Sequence, residues 1–233
     1  SDTYAVAKER FLKVYTHKSP ITYRHYTRTF REVEEKLIVK ELRQITPDTL
    51  TDILTKWKVE KKGLYVRNRN VENMVSFMRR AESWRMVPPQ DWDTVVGKDE
   101  EPRGRVHFFT AKDLNKLLSQ TFGPWRTMTM LGSRAGLRPG EIFWLEWSDV
   151  ELPYKKIHID SKPKYGWHVK KYERRTIPIP SDLYKYLSGL KREAWVIESR
   201  PKSMESMSTY YSRCVRRAGL KGSMYTLRHS YAS

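Results

Sequence analysis

The 233 residues suffice for two compact units, and an apolar content of 39% supplies a core for each. The 45 Lys and Arg against 27 Asp and Glu leave a formal charge of +18, which favours a polyanionic partner, nucleic acid first among them. A single cysteine, Cys214, excludes an internal disulfide and fits a reducing, cytoplasmic setting; no apolar run reaches the roughly 18 residues of a membrane span, and Ser1–Arg10 is too polar for a secretion signal.

The first hundred residues read as helices. A helix is expected near Tyr4 to His17. Ser19-Pro20 marks another start, a capping hydroxyl followed by proline at the first helical position. Tyr23, Tyr26, Phe30, Val33 and Leu37 then recur at spacings of three and four, one face of a helix. Thr46-Pro47-Asp48 repeats the start signal, with Leu50, Ile53, Leu54 and Trp57 as the apolar stripe. Gly63 breaks the pattern, and a further helix is expected from near Asn68 to Arg85, burying Val71, Met74, Val75, Met78 and Trp84. The result is a four-helix bundle. Its surface carries Arg24, Arg28, Arg31, Lys56, Lys58, Lys61, Lys62, Arg67 and Arg69, which suit phosphates or, equally, a solvated face. Pro88-Pro89, Gly97, Pro102 and Gly104 punctuate a charged stretch that reads as a linker. The expected organisation is therefore a helical DNA-binding domain at 1–87, a linker at 88–104 and a second domain at 105–233.

The second domain carries most of the basic excess. Residues 101–233 hold 25 basic and 12 acidic side chains, against 20 and 15 in residues 1–100. Thr110-Ala-Lys-Asp113 resembles a capping box, and Leu114, Leu117 and Leu118 give a buried stripe. Pro124 opens a helix expected to reach Ala135. Gly136-Leu-Arg138-Pro-Gly140-Glu141 is a turn into another helix. Ile157 and Ile159 alternate with His158 and Asp160 as in a strand; Lys162–Lys171 is a basic turn region, and Arg175–Ile179 a partner strand. Helices are expected over 181–190, 203–218 and from Thr226 onward. The fold class is mainly α with a small β-sheet (α+β).

Two arginines stand out by setting. Arg138 lies at a glycine-flanked turn between apolar helices, and Arg228 follows the core anchor Leu227. An arginine fixed beside buried residues presents a rigid fork of donors, and two forks on one phosphate stabilise the added charge of a pentacoordinate transition state. No His, Cys or carboxylate cluster has metal-ligand spacing, and no cofactor motif is present.

The string Gly136-Leu-Arg138-Pro-Gly-Glu141-Ile142, followed by Leu145-Glu-Trp147-Ser-Asp149-Val150, resembles the first arginine box of the tyrosine recombinase (phage-type integrase) family. Leu227-Arg228-His229-Ser-Tyr231-Ala-Ser resembles the second box. Ile157–Lys162 and Arg175–Pro178 resemble the hairpin that carries the family's lysine, and Phe109–Leu114 the usual start of its catalytic domain. The helical first half resembles the family's SAM-like core-binding domain in kind. The specific resemblance covers about residues 105–233.

The resemblance implies site-specific recombination or integration of a mobile element or phage, through a 3′-phosphotyrosyl intermediate and without a metal. Arg138 and Arg228 would bind the scissile phosphate, and Glu141 would buttress them. Lys162 would be the general acid, its pKa lowered by nearby cations; Lys164, Lys170 and Lys171 stand in the same stretch as alternatives. Tyr225 occupies the place of the family's histidine, and a phenol donates a hydrogen bond but is a poor base. The nucleophilic tyrosine would fall past Ser233. Tyr231 is expected to be a core aromatic and Tyr210 and Tyr211 to sit within a helix, so these residues alone are expected to hold a phosphate and leave the strand intact. The implied partners are duplex DNA and, in the intact protein, further copies in a tetramer on that DNA; no membrane is involved. Two alternatives share the scaffold: a DNA-binding protein that no longer cuts, and a type IB topoisomerase, against which the short helical first half speaks.

Overall fold

The computed structural model describes residues 3–16, 20–38, 40–95, 99 and 107–231. The chain divides into two compact units, Ser1–Arg103 and Gly104–Ser233. Ser19, expected to cap a helix, and Gly97, Pro102 and Gly104 of the expected linker lie outside the described residues.

The first unit contains α1 (Tyr4–Thr16), α2 (Pro20–Glu34), α3 (Pro47–Val59) and α4 (Leu64–Ser83). Thr46 caps α3 as its sequence suggests, its hydroxyl accepting from the Thr49 amide. By contrast, α4 starts four residues earlier than its apolar spacing implies. Gly63 does not merely end α3: it sits at the N-cap of α4, its carbonyl accepting from the Val66 and Arg67 amides. The core is aromatic. Phe11, Phe30 and Phe77 meet edge to face, with centroids 5.0–6.1 Å apart. Of the stripe expected on α2, Phe30 and Val33 are buried, while Tyr23, Tyr26 and Leu37 lie at its half-buried margins. The stretch after Val87, expected to be linker, is folded onto this unit: Trp92 and Val95 are buried, and the Trp92 indole donates to Glu82 at 2.7 Å.

Several expected surface cations are engaged internally. Glu32, only 7% exposed, accepts from Arg28 Nε at 2.7 Å and pairs with Lys62 Nζ at 2.7 Å, and the Asn70 amide also donates to it. Asp99 pairs with Lys58 and Arg67. Arg24, Arg31, Lys56, Lys61 and Arg69 remain exposed.

The second unit contains α5 (Ala111–Gln120), α6 (Gly123–Arg134), α7 (Pro139–Phe143), β1 (Val150–Glu151), β2 (Lys156–Ile159), β3 (Arg175–Pro178), α8 (Ser181–Ser188), α9 (Met204–Arg217) and α10 (Met224–Tyr231). The strands form one antiparallel sheet in the order β1-β2-β3, with Ile157 opposite Val150 and Ile177. Its inward residues Ile157, Ile159 and Ile177 join a core that includes Leu117, Leu131, Leu137, Ile142, Leu183, Tyr211 and Leu227. Thr110 and Asp113 form the expected reciprocal cap on α5. No helix among the described residues is long and apolar enough to cross a membrane.

The Glu32 cluster joins α2, α4 and the turn after α3, and it makes stability depend on pH. Burial opposes ionisation of Glu32, but hydrogen bonds from Lys62, Arg28 and Asn70 outweigh it and hold the carboxyl at about 2. A carboxyl depressed in the folded state stabilises above its unfolded value, and that contribution disappears as pH falls through the folded one. The ionised cluster is therefore worth about 3 kcal/mol at neutral pH, lost between roughly pH 4.5 and 2. Glu32→Gln should lower unfolding free energy at pH 7 by about 2–3 kcal/mol and flatten the acid limb of a urea-stability profile. Parallel profiles for the two proteins across that window would show that Glu32 is not the titrating group.

Candidate active site

The first arginine box owes its shape to local rules. Arg138 is the N-cap of α7 in extended conformation (φ −73°, ψ 153°), and Pro139 takes the first helical position. Three residues on, Glu141 turns back: its Oε2 accepts from the Arg138 amide at 2.7 Å and its Oε1 from Arg138 Nη1 at 2.9 Å. The spacing Arg-x-x-Glu is thus a cap that also grips the arginine's own side chain. Glu141 receives two more bonds from across the unit, from Arg175 Nη1 at 2.8 Å and Nη2 at 2.6 Å. Burial opposes its ionisation, but these bonds prevail and lower its pKa.

Arg228 reaches the same neighbourhood from α10. Its Nη1 donates to the carbonyl of Gly136, two residues before Arg138. Burial first, and then the positive charge of Arg138, push its pKa below the ordinary value, with Arg175 adding to the effect and Glu141 opposing it. Three guanidinium groups therefore converge around one buried carboxylate. Two glycines let α10 come this close to α6 and the turn after it. A Cβ on Gly132 would stand 2.9 Å from Leu227 Cβ, and one on Gly136 would stand 2.4 Å from the Tyr231 ring. Gly136 also has φ +62°, in the left-handed region.

An open cleft of about 550 Å³ lies between β3 and the end of α10, lined by Gly136, Arg175, Thr176, Arg228, His229 and Tyr231. Tyr231 is therefore not the core aromatic its position suggested; it is 49% exposed, packed on Gly136, and walls the cleft. Tyr211 is buried and shares a hydrogen bond of 2.8 Å with Thr129, whereas Tyr210 is exposed beside Trp125. Tyr225 is exposed at the start of α10, one turn before Arg228 and on the same side of the helix.

Lys162 lies elsewhere in the electrostatic landscape than expected. Cations were to lower its pKa; instead two carboxylates hold it. Its Nζ donates to Glu146 Oε2 at 2.9 Å and Asp149 Oδ1 at 2.5 Å. Burial would lower the pKa, but these bonds overcome it and raise it. Glu146 also accepts from Lys164 Nζ at 2.8 Å and the Tyr165 hydroxyl at 3.0 Å. The stretch after β2 is a folded clasp rather than an open loop. Lys162 and Trp167 exchange backbone hydrogen bonds, Tyr165 stacks on Trp144 at 5.0 Å, and Trp167 lies against Gly140 of α7. Arg200 stands 3.6 Å over the Trp195 ring and donates to the Phe143 carbonyl.

Arg175 was read only as the start of a strand. One signal was available: in the alternation of β3 it shares a face with the buried Ile177, and a charge on an inward face requires a partner.

Two arginine boxes flank a small sheet, and their side chains meet at Glu141 and the Gly136 turn, beside a cleft lined by Arg175 and Arg228. Residues 107–233 match the model of the phage integrase family, and the chain belongs to that family, the tyrosine recombinases, whose activity is DNA strand breaking and rejoining in site-specific recombination. None of the proteins of curated function matches it. Among solved structures, a lambda integrase (75–356) dimer bound to a COC′ core site is 16% identical, with a TM-score of 0.77 over 99% of this chain and 89% of that one. A lambda integrase tetramer bound to a Holliday junction is likewise 16% identical, with a TM-score of 0.77 over 100% of this chain and 72% of that one. A Tn1549 transposon integrase in complex with transposon right end DNA is 14% identical, with a TM-score of 0.75 over 99% and 85%. At these identities the likeness is one of fold.

Gly136 carries two separable demands, backbone sign and ring contact. Gly136→Ala should cost about 1–3 kcal/mol in a thermal or urea melt. Adding Tyr231→Ala should recover the part due to the clash but not the part due to φ. Full recovery in the double variant would mean that the left-handed turn is not required.

Proposed function

We propose that the chain binds duplex DNA at a recombination site and that Arg138 and Arg228 hold the scissile phosphate. The observation that carries this is the convergence of both arginines, from separate elements, on Glu141 and the Gly136 turn. A phosphate there meets rigid donors that need no reorganisation as charge builds on its oxygens. Tyr225 adds a phenol donor one helical turn from Arg228. In the reaction, the hydroxyl of a tyrosine, which the family pattern puts past Ser233, gives its proton to solvent as its oxygen attacks phosphorus. The 3′-phosphotyrosyl bond forms as the bond to the 5′ oxygen breaks, and the departing oxygen takes a proton from Lys162. Lys162 must first leave Glu146 and Asp149, so its delivery is coupled to rearrangement of the clasp at 162–167. The exposed arginines of the first unit, Arg24 and Arg31, contact backbone phosphates. The working assembly is a tetramer on DNA, as in the lambda integrase bound to a Holliday junction, acting in the cytoplasm.

Binding to duplex should weaken at least a thousandfold between about 50 and 200 mM salt if on the order of six or more phosphates are contacted. In the full-length protein, a nicked suicide substrate should trap a covalent complex. Arg138→Ala and Arg228→Ala should abolish trapping while duplex binding stays within roughly tenfold. Covalent complex from the Arg138 variant at the wild-type rate would remove Arg138 from the site. For the lysine, a substrate with sulfur in place of the 5′ bridging oxygen needs no protonation of the leaving group. It should restore cleavage to Lys162→Ala. Restoration of Lys164→Ala or Lys170→Ala instead would reassign the general acid.

A further inference from the structure

Beyond the pair Arg138 and Arg228, the site contains a third guanidinium whose partner explains it. Arg175 opens β3 on the face of Ile177, and both its terminal nitrogens meet Glu141, at 2.8 and 2.6 Å. The Arg138 amide and Nη1 take the remaining positions on the same carboxylate. Four donors fill the four lone-pair directions that a carboxylate offers. Glu141 is 3% exposed, so water does not share in this compensation.

The count of charges gives Arg175 a task. Arg138, Arg175 and Arg228 against Glu141 leave two positive charges at the cleft. Without Arg175, Glu141 cancels Arg138, and Arg228 remains as the one uncompensated cation of the group. Glu141 would then draw Arg138 Nη1 more strongly to itself and away from a phosphate. The cleft wall carries Arg175 and Arg228 side by side with Gly136 and Tyr231.

We propose that Arg175 is a positioning residue of the phosphate site: by neutralising Glu141 it keeps the charge and the donors of Arg138 available to the scissile phosphate. The proposal rests on the reading of this cleft as the scissile-phosphate site. It also accounts for a doubly held, buried Glu141 beside a site that must attract an anion.

The test is covalent trapping by the full-length protein on two suicide substrates, one with an ordinary scissile phosphate and one with a methylphosphonate there. The methylphosphonate carries no charge, so a residue that supplies positive charge matters less on it. On the ordinary phosphate, Arg175→Gln should slow trapping by on the order of a hundredfold, the effect of losing one donor to a transition-state oxygen. Arg175→Lys, which keeps the charge, should lose less than about tenfold. On the methylphosphonate, the Arg175→Gln defect should shrink to within about threefold of wild type. Arg175→Gln combined with Glu141→Gln restores the charge count and should recover at least tenfold on the ordinary phosphate. An equal defect of Arg175→Gln on both substrates would overturn the proposal and make Arg175 a residue of the fold alone. Arg138→Ala is run alongside. If it traps normally, the phosphate-site reading itself falls. If it fails to trap and Arg175→Gln is unimpaired on the ordinary phosphate, only the inference about Arg175 falls.

Discussion

The carboxylate of Glu141 is the fixed point of the second unit. It is buried, and an ionised carboxyl removed from water costs several kcal/mol unless its lone pairs are met. They are met by Arg138 from the turn it caps and by Arg175 from a strand 34 residues away. The arrangement ties two otherwise weak pieces together. The helix α7 is five residues long, too short to persist by its own hydrogen bonds, and β3 contributes four residues to a three-stranded sheet. Loss of either arginine leaves two lone pairs of a buried carboxylate unmet, so the same contact that shapes the site also holds the sheet to the helices.

The large positive charge acts at two ranges. At long range the surplus of the second half favours approach to a polyanion. At short range many cations are already partnered: Lys162 and Lys164 on Glu146, Arg134 on Asp182, Arg174 on Asp160, and Lys62 and Arg28 on Glu32. The overall field therefore says little about which cation meets a phosphate. Around Glu141 the local surplus is three guanidinium groups over one carboxylate.

Helix positions were readable because their causes are local. Thr46, Thr110 and Ser203 each accept the amide three residues on, and the apolar stripes follow at helical spacing. Reading failed where one residue had two tasks or where the cause was distant. Gly63 terminates one helix and caps the next, so its break in the apolar pattern hid the first turn of α4. Two residues of β1 are too few to show an alternation. The arginine boxes could be recognised by their resemblance to those of the family, and the Arg-x-x-Glu of the first is also a cap. The company they keep could not: Lys162 finds its carboxylates 13 and 16 residues back, and Tyr231 finds Gly136 only because α10 rides on the end of α6.

These two arms of the site differ in what must happen before chemistry. The arginine arm is assembled: Glu141 and the Gly136 carbonyl already hold Arg138 and Arg228 in place. The lysine arm is assembled somewhere else. Lys162 is bound by two carboxylates in a clasp packed against aromatic rings, Trp144, Tyr165 and Trp195, whose centroids lie 5.0–6.0 Å apart. Separating a half-buried ammonium from such partners costs on the order of a few kcal/mol, and an approaching DNA phosphate is a charge that can replace them. If Arg138, Arg228 and Lys162 act as proposed, a single bound duplex engages the arginines at once and the lysine only after the clasp yields. On that proposal phosphate capture and proton delivery are separate events, and the second waits on the carboxylates that hold Lys162.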